Sequence, residues 1–128
     1  MSANAEPAAG PILTGRDGEL DVESVDPSEF ETIGDWRGRV GFVCTPDDGR
    51  SVARVGIFDC EPCTIIAPVE AEHTYYILEG EVHIELDDGS TVDLRAGDIA
   101  MVPKCEQATF VYKTRVKEFF VVSPPPSP

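Results

Sequence analysis

The chain has 128 residues, enough for one domain with a modest core, and its 41% of apolar residues excludes global disorder. A formal charge of −14, from 24 acids against ten bases, repels a phosphate backbone and an anionic bilayer alike, so nucleic-acid and membrane partners are not expected. No apolar run reaches the roughly 18 residues of a membrane span, and Met1–Gly10 lacks the basic flank and apolar stretch of a signal peptide, which predicts a soluble, cytoplasmic protein.

Residues 1–17 are rich in Ala, Gly and Pro without any period and read as a loose tail. The first 36 residues carry nine acids and one base, as a solubilising segment would. Trp36, Arg37 and Arg39 precede the first strong strand and either cap one end of the fold or pack in a dimer. Val40–Cys44, Val52–Phe58, Tyr75–Leu78, Val82–Leu86, Ile99–Val102 and Phe119–Val122 are rich in β-branched and aromatic residues and predict strands. Pro46-Asp47-Asp48-Gly49, Asp87-Asp88-Gly89 and Ala96-Gly97-Asp98 supply turn chemistry between them. Val82, Ile84 and Leu86 alternate with Glu81, His83 and Glu85, and the following turn into Thr91–Leu94 predicts a hairpin. His83 thus falls on the polar face, exposed or in an oligomer contact. No segment of ten residues has a helical period, and strands at this spacing predict an all-β sandwich or barrel over residues 18–122. Residues 123–128 are Pro-rich and read as an extended stub.

Without an export signal, Cys44, Cys60, Cys63 and Cys105 are expected as reduced thiols. Cys60 and Cys63 have the C-x-x-C spacing of zinc ligands, but no second pair follows to complete four, so they read as small apolar strand residues.

Tyr76-Ile77-Leu78-Glu79-Gly80-Glu81-Val82, the Asp88-Gly89 turn and Ala96-Gly97-Asp98-Ile99-Ala100-Met101-Val102-Pro103 resemble the two signature segments of a cupin. Gly56–Cys63 further resembles the Gly-x-Trp-x-Cys-x-Pro-Gly segment of the branch that holds ethanolamine-utilisation cupins and relatives of ureidoglycine aminohydrolase, with Phe58 for Trp and Cys63 for Gly. The resemblance covers about residues 40–122 and implies a double-stranded β-helix (jelly-roll) barrel that forms a homodimer. It also implies an aromatic at Phe110 and a basic residue near Lys117.

Metal-binding cupins resembling this chain would place ligands at Ile66, Pro68, His73 and Ala108, three of which cannot coordinate through a side chain. The aminohydrolase variant would use His73 and Gln107, with its other ligands falling on Ala67 and Val69. The resemblance therefore implies no cofactor. The alternative is one divalent Mn, Fe, Ni or Zn ion held by His73 and Gln107 with help from Glu70 or Cys105. Glu70-Ala71-Glu72 otherwise reads as a solvated rim. Alternation puts Tyr75 and Ile77 on the face of His73, which the resemblance turns into the cavity. His73 and Tyr75 are thus the expected catalytic pair, with Gln107, Cys105, Phe58, Phe110 and Ile66 as ligand-binding residues. A thiol at Cys105 could also act as a nucleophile or base. The function so implied is metal-independent acid/base chemistry on a small molecule, of isomerase, cyclase, dehydratase or lyase type. The alternatives are a non-catalytic metabolite-binding cupin and the divergent metal enzyme.

Overall fold

A computed structural model of the chain describes residues 12–45 and 54–123, and within them period-two alternation builds almost everything. The strands are β1 (Val22–Ser24), β2 (Glu31–Ile33), β3 (Gly38–Cys44), β4 (Arg54–Cys60), β5 (Cys63–Val69), β6 (His73–Glu79), β7 (Glu81–Leu86), β8 (Thr91–Arg95), β9 (Ile99–Val102), β10 (Cys105–Tyr112) and β11 (Val116–Val122). A single 3₁₀ turn, Pro27–Glu29, lies between β1 and β2, and the side chain of Asp26 caps it by accepting from the Ser28 N–H at 2.9 Å. Among the described residues there is no α-helix, and no helix long and apolar enough to cross a membrane.

The strands form two antiparallel sheets in the orders β1-β3-β4-β11-β6-β9 and β2-β5-β10-β7-β8. Their facing sides make the core, in which Ile77, Val82, Val116 and Cys60 are the most completely enclosed large side chains. This is the expected all-β jelly-roll architecture. The strands β1, β2, β5 and β10 had no counterpart in the sequence reading. β1 and β2 are three-residue edges carrying little pattern. β5 contains Pro68, and β10 opens on Cys105-Glu106-Gln107 with a bulge between Cys105 and Ala108 that breaks its alternation. β6 and β11 start earlier than expected, at His73 and Val116. The expected turn at Pro46–Gly49 and the start of the strand at Val52 lie outside the described residues.

The hairpin after Leu86 forms as expected, with the Gly89 N–H donating to the Leu86 carbonyl at 3.0 Å and the Leu86 N–H to that of Ser90 at 2.9 Å. Gly80 has a heavier duty, because it carries the chain from β6 in one sheet to β7 in the other. Its φ is +90°, and a Cβ there would collide with the Arg115 carbonyl and Thr114 Oγ1. Gly89 has a similar φ of +91° but open space around it. Gly80→Ala is therefore expected to cost about 2–4 kcal/mol and Gly89→Ala about 1 kcal/mol, read from urea midpoints. Equal losses at the two positions would contradict the packing argument.

Candidate functional site

Three cross-strand rows of the first sheet face the interior. Arg54, Val122 and His73 form the row at the open end; Gly56, Phe120 and Tyr75 form the next; Phe58, Glu118 and Ile77 form the deepest. The second sheet answers with Ile65, Ala67 and Val69 from β5 and with Phe110 and Tyr112 from β10. Between them lies a cavity of about 320 Å³.

Aromatic rings run along its wall in continuous contact. His73 stacks on Tyr75 at 5.7 Å between centroids, Tyr75 meets the edge of Phe110 at 6.3 Å, and Phe110 stacks on Tyr112 at 6.3 Å. Tyr112 continues to Phe58 at 6.0 Å, Phe58 to Trp36 at 6.1 Å, and Trp36 to Phe30 at 5.1 Å. The Trp36 indole N–H donates to the Val25 carbonyl at 2.8 Å, which pins the ring over one side of the cavity. Trp36 thereby closes one side of the cavity, as a cap would.

Glu118 is the group the sequence reading missed. It is 4% exposed, the one buried charged side chain among the described residues, and it lines the cavity. No hydrogen bond or ion pair from a described residue reaches its carboxyl, whose surroundings include Tyr75, Tyr112 and Cys60. Burial without compensation pushes its pKa up to about 8. The signal is present in Val116, Glu118, Phe120 and Val122, an apolar alternation with one acid in it, which begins three residues before the strand expected at Phe119–Val122. The basic neighbour implied by resemblance, Lys117, faces the other way and pairs with Asp17 at 3.1 Å.

His73 is half-buried, and its Nδ1 lies 2.8 Å from the Ala71 carbonyl, which can only accept. Nδ1 therefore carries the proton, and in the neutral ring Nε2 keeps its lone pair. Desolvation first, and then the charge of Arg54, hold its pKa below the usual imidazole value. The phenols of Tyr75 and Tyr112 are pushed well up by burial and next by Glu118, so both remain hydrogen-bond donors at neutral pH. Arg54 is exposed at the mouth, and no described acid pairs with it.

Of the residues expected at the site, His73, Tyr75, Phe58 and Phe110 line the cavity. Gln107, Ile66 and Cys105 do not. Ile66 lies between Ile65 and Ala67, so alternation turns it away from this cavity, into a neighbouring pocket of about 350 Å³ that it shares with Gln107. Gln107 is exposed because its neighbour Ala108 takes the inward position after the bulge. Cys105 pairs with Val69 and packs partly buried against the core, and burial raises its thiol pKa, the wrong direction for a nucleophile. Cys60 and Cys63 end β4 and begin β5 as buried free thiols, with Cys60 pushed far up by burial. His83 lies on the outer face, held by Asp93 at 2.8 Å and Glu85 at 3.0 Å.

The donor set does not suit a metal ion. The inward positions on β5 are Ile65, Ala67 and Val69, which offer no coordinating side chain, Gln107 faces outward and Glu70 is exposed. No group of three or more His, Cys, Asp or Glu side chains among the described residues could hold one.

A carboxyl whose folded pKa lies above its unfolded value stabilises the fold fully below pH 4.5, and that contribution drains away as pH rises to about 8. Glu118→Gln is neutral throughout and escapes the loss. Its stability relative to the parent should therefore climb between pH 5 and pH 8.5 by an amount on the order of several kcal/mol, read by urea unfolding at both pH values. A pH-independent difference would mean that the carboxyl is solvated or paired.

The family model of the EutQ-like cupin domain matches residues 48–121. Among solved structures, ethanolamine utilisation protein Q of Salmonella typhimurium LT2 is 25% identical, over 69% of this chain and 70% of that one, with a TM-score of 0.61. The polyketide cyclase RemF of Streptomyces resistomycificus is 23% identical over 91% of this chain and 83% of that one, at 0.65. Ectoine synthase from P. lautus is 15% identical over 81% and 70%, at 0.62. The last two likenesses carry the fold and not the activity. No curated protein matches the chain. The signature segments, the two facing sheets and a family match across more than half of the sequence agree, and the chain belongs to the EutQ-like cupin domain family.

Proposed function

We propose that this chain is an enzyme of small-molecule metabolism that moves protons within the barrel cavity without a metal ion, in a reaction of isomerase, cyclase, dehydratase or lyase type. The observation that carries the reading is Glu118, a desolvated carboxyl on the wall of a ligand-sized cavity. With a pKa of about 8 it is mostly protonated at neutral pH, yet about a tenth is ionised at pH 7, so one side chain can both give and take a proton there. Tyr75 and Tyr112 would donate hydrogen bonds to an oxygen on which negative charge develops, in surroundings dry enough to strengthen them. Neutral His73 would orient the ligand near the mouth through Nε2. Two neighbours of the same fold bear the names of a cyclase and a synthase, so this architecture hosts small-molecule chemistry elsewhere. The same reading keeps the chain a cytoplasmic homodimer, for which the exposed apolar side chains of Ile99, Met101 and Tyr76 offer a contact surface on β9 and β6.

The test is solvent exchange. Purified protein is incubated in D₂O with a panel of small oxo acids, hydroxy acids and amino acids, and deuterium incorporation or product is read by mass spectrometry. At least one compound should exchange, about a hundredfold more slowly with Glu118→Gln, and unchanged after chelator treatment. Where Glu118 acts as base, the rate should rise with pH toward a plateau above about 8. The reading falls if Glu118→Gln exchanges at the parental rate. It also falls if activity is lost to chelation and restored by Mn, Fe, Ni or Zn, or if compounds bind saturably with neither exchange nor product.

A further inference from the structure

No described residue hydrogen-bonds or pairs with the Glu118 carboxyl, which opens onto the cavity, and the two ends of that cavity differ in charge. Arg54 stands at the mouth in one row with His73, and Glu118 lies two inward rows deeper on the neighbouring strand. Four residues of extended chain separate the levels, about 13 Å along the strand. Aromatic rings occupy the length between.

We propose that the cavity takes an elongated ligand with a positively charged nitrogen at its inner end and an anionic group at its outer end. The proposal rests on the cavity being the ligand site, and it specifies what that site selects. At the inner end, a ligand N–H would supply the donor the Glu118 carboxyl lacks. Phe58 beside it, with Tyr75 and Tyr112 nearby, adds rings whose negative faces favour a cation over a neutral donor. At the outer end, the guanidinium of Arg54 is a fixed positive charge with no described acid beside it, suited to a carboxylate or phosphate. The apolar span between them suits a ring or a short aliphatic spacer.

A cation would also reverse the balance at Glu118, whose charged form is disfavoured only by desolvation. Binding would ionise the carboxyl and release a proton. The other titratable groups around it, Tyr75 on β6, Tyr112 on β10, Cys60 on β4 and Cys63 on β5, are all shifted upward and stay neutral through pH 8. His73 at the mouth is shifted downward and stays neutral above pH 7. Affinity for a cationic ligand should therefore rise with pH between 7 and 8, by about fivefold for a carboxyl titrating near 8.

The probe is 4-(aminomethyl)benzoate, compared with 4-(hydroxymethyl)benzoate, which replaces the ammonium by a neutral donor, and with benzylamine, which lacks the carboxylate. Binding is measured by calorimetry and by the fluorescence of Trp36, the only tryptophan and a cavity residue. At pH 8 the aminomethyl probe should bind about tenfold more tightly than either comparison compound. Glu118→Gln should erase its advantage over the hydroxymethyl compound while leaving that compound bound, which also shows the variant folded. Arg54→Gln should erase its advantage over benzylamine. The inference is overturned if the hydroxymethyl compound binds as tightly as the aminomethyl one, if affinity for the latter does not rise from pH 7 to pH 8, or if no probe binds. Those results leave proton exchange dependent on Glu118, if seen, untouched. Conversely, selective binding with no exchange on any compound would uphold the ligand class and remove the catalytic reading.

Discussion

A strand buried on one face has no freedom to hide a single residue. β11 lies between β4 and β6 in the middle of its sheet, and its inward positions Val116, Glu118, Phe120 and Val122 are fixed by pairing on both sides. Sliding β11 by one residue would turn Glu118 to solvent, but it would also expose Val116, Phe120 and Val122 and bury Lys117. The apolar majority therefore decides the register, and the carboxyl is carried inside against its own preference. Protonation rather than pairing makes this tolerable, because the neutral acid avoids most of the desolvation cost. The unusual acidity of Glu118 is thus a consequence of sheet register.

The same constraint explains the shape of the cavity. Residues 22–36 cross one side of the fold, with β1 pairing with β3 at the edge of the first sheet and β2 with β5 at the edge of the second. Phe30 after the first turn packs on Trp36 after β2, and Trp36 stacks on Phe58, so the wall near Glu118 is built partly from a segment with almost no strand pattern of its own. The Trp36 N–H bond to Val25 ties the start of this segment to its end. An acid-rich stretch that would pass as mere solubilising sequence therefore supplies rings to the cavity.

How far the sequence could be read follows from these particulars. The fold was legible because β7 and its hairpin alternate cleanly, and because Gly80 and Gly97 stand at turns with positive φ. His73 and Tyr75 were legible because they share the face of one strand with Ile77. β10 was hidden by its bulge, which is a tertiary decision about where an extra residue is absorbed, and Gln107, implied only by the resemblance, lies on the outer face. Ile66, implied by its place in the resemblance, turns outward on β5, where apolar side chains on both faces leave register unreadable from pattern alone. Glu118 was overlooked because the apolar run of β11 was begun too late.

Outward rotation of Ile66 also changes what the departures from the metal-binding pattern mean. With Ile65, Ala67 and Val69 as the inward residues of β5, the sheet opposite His73 offers only hydrocarbon where ligands would be needed. An ion held by His73 alone would need donors from Glu118, which lies two inward rows deeper on its own sheet. A cavity so divided suits groups that act at separate points along a ligand better than groups that converge on one atom. In the proposed reading Arg54 and His73 would hold one end, and the carboxyl and phenols would act on the other. On the proposed ligand class, the distance between the two levels, set by strand geometry rather than by any single contact, would be the dimension by which the cavity selects what it binds.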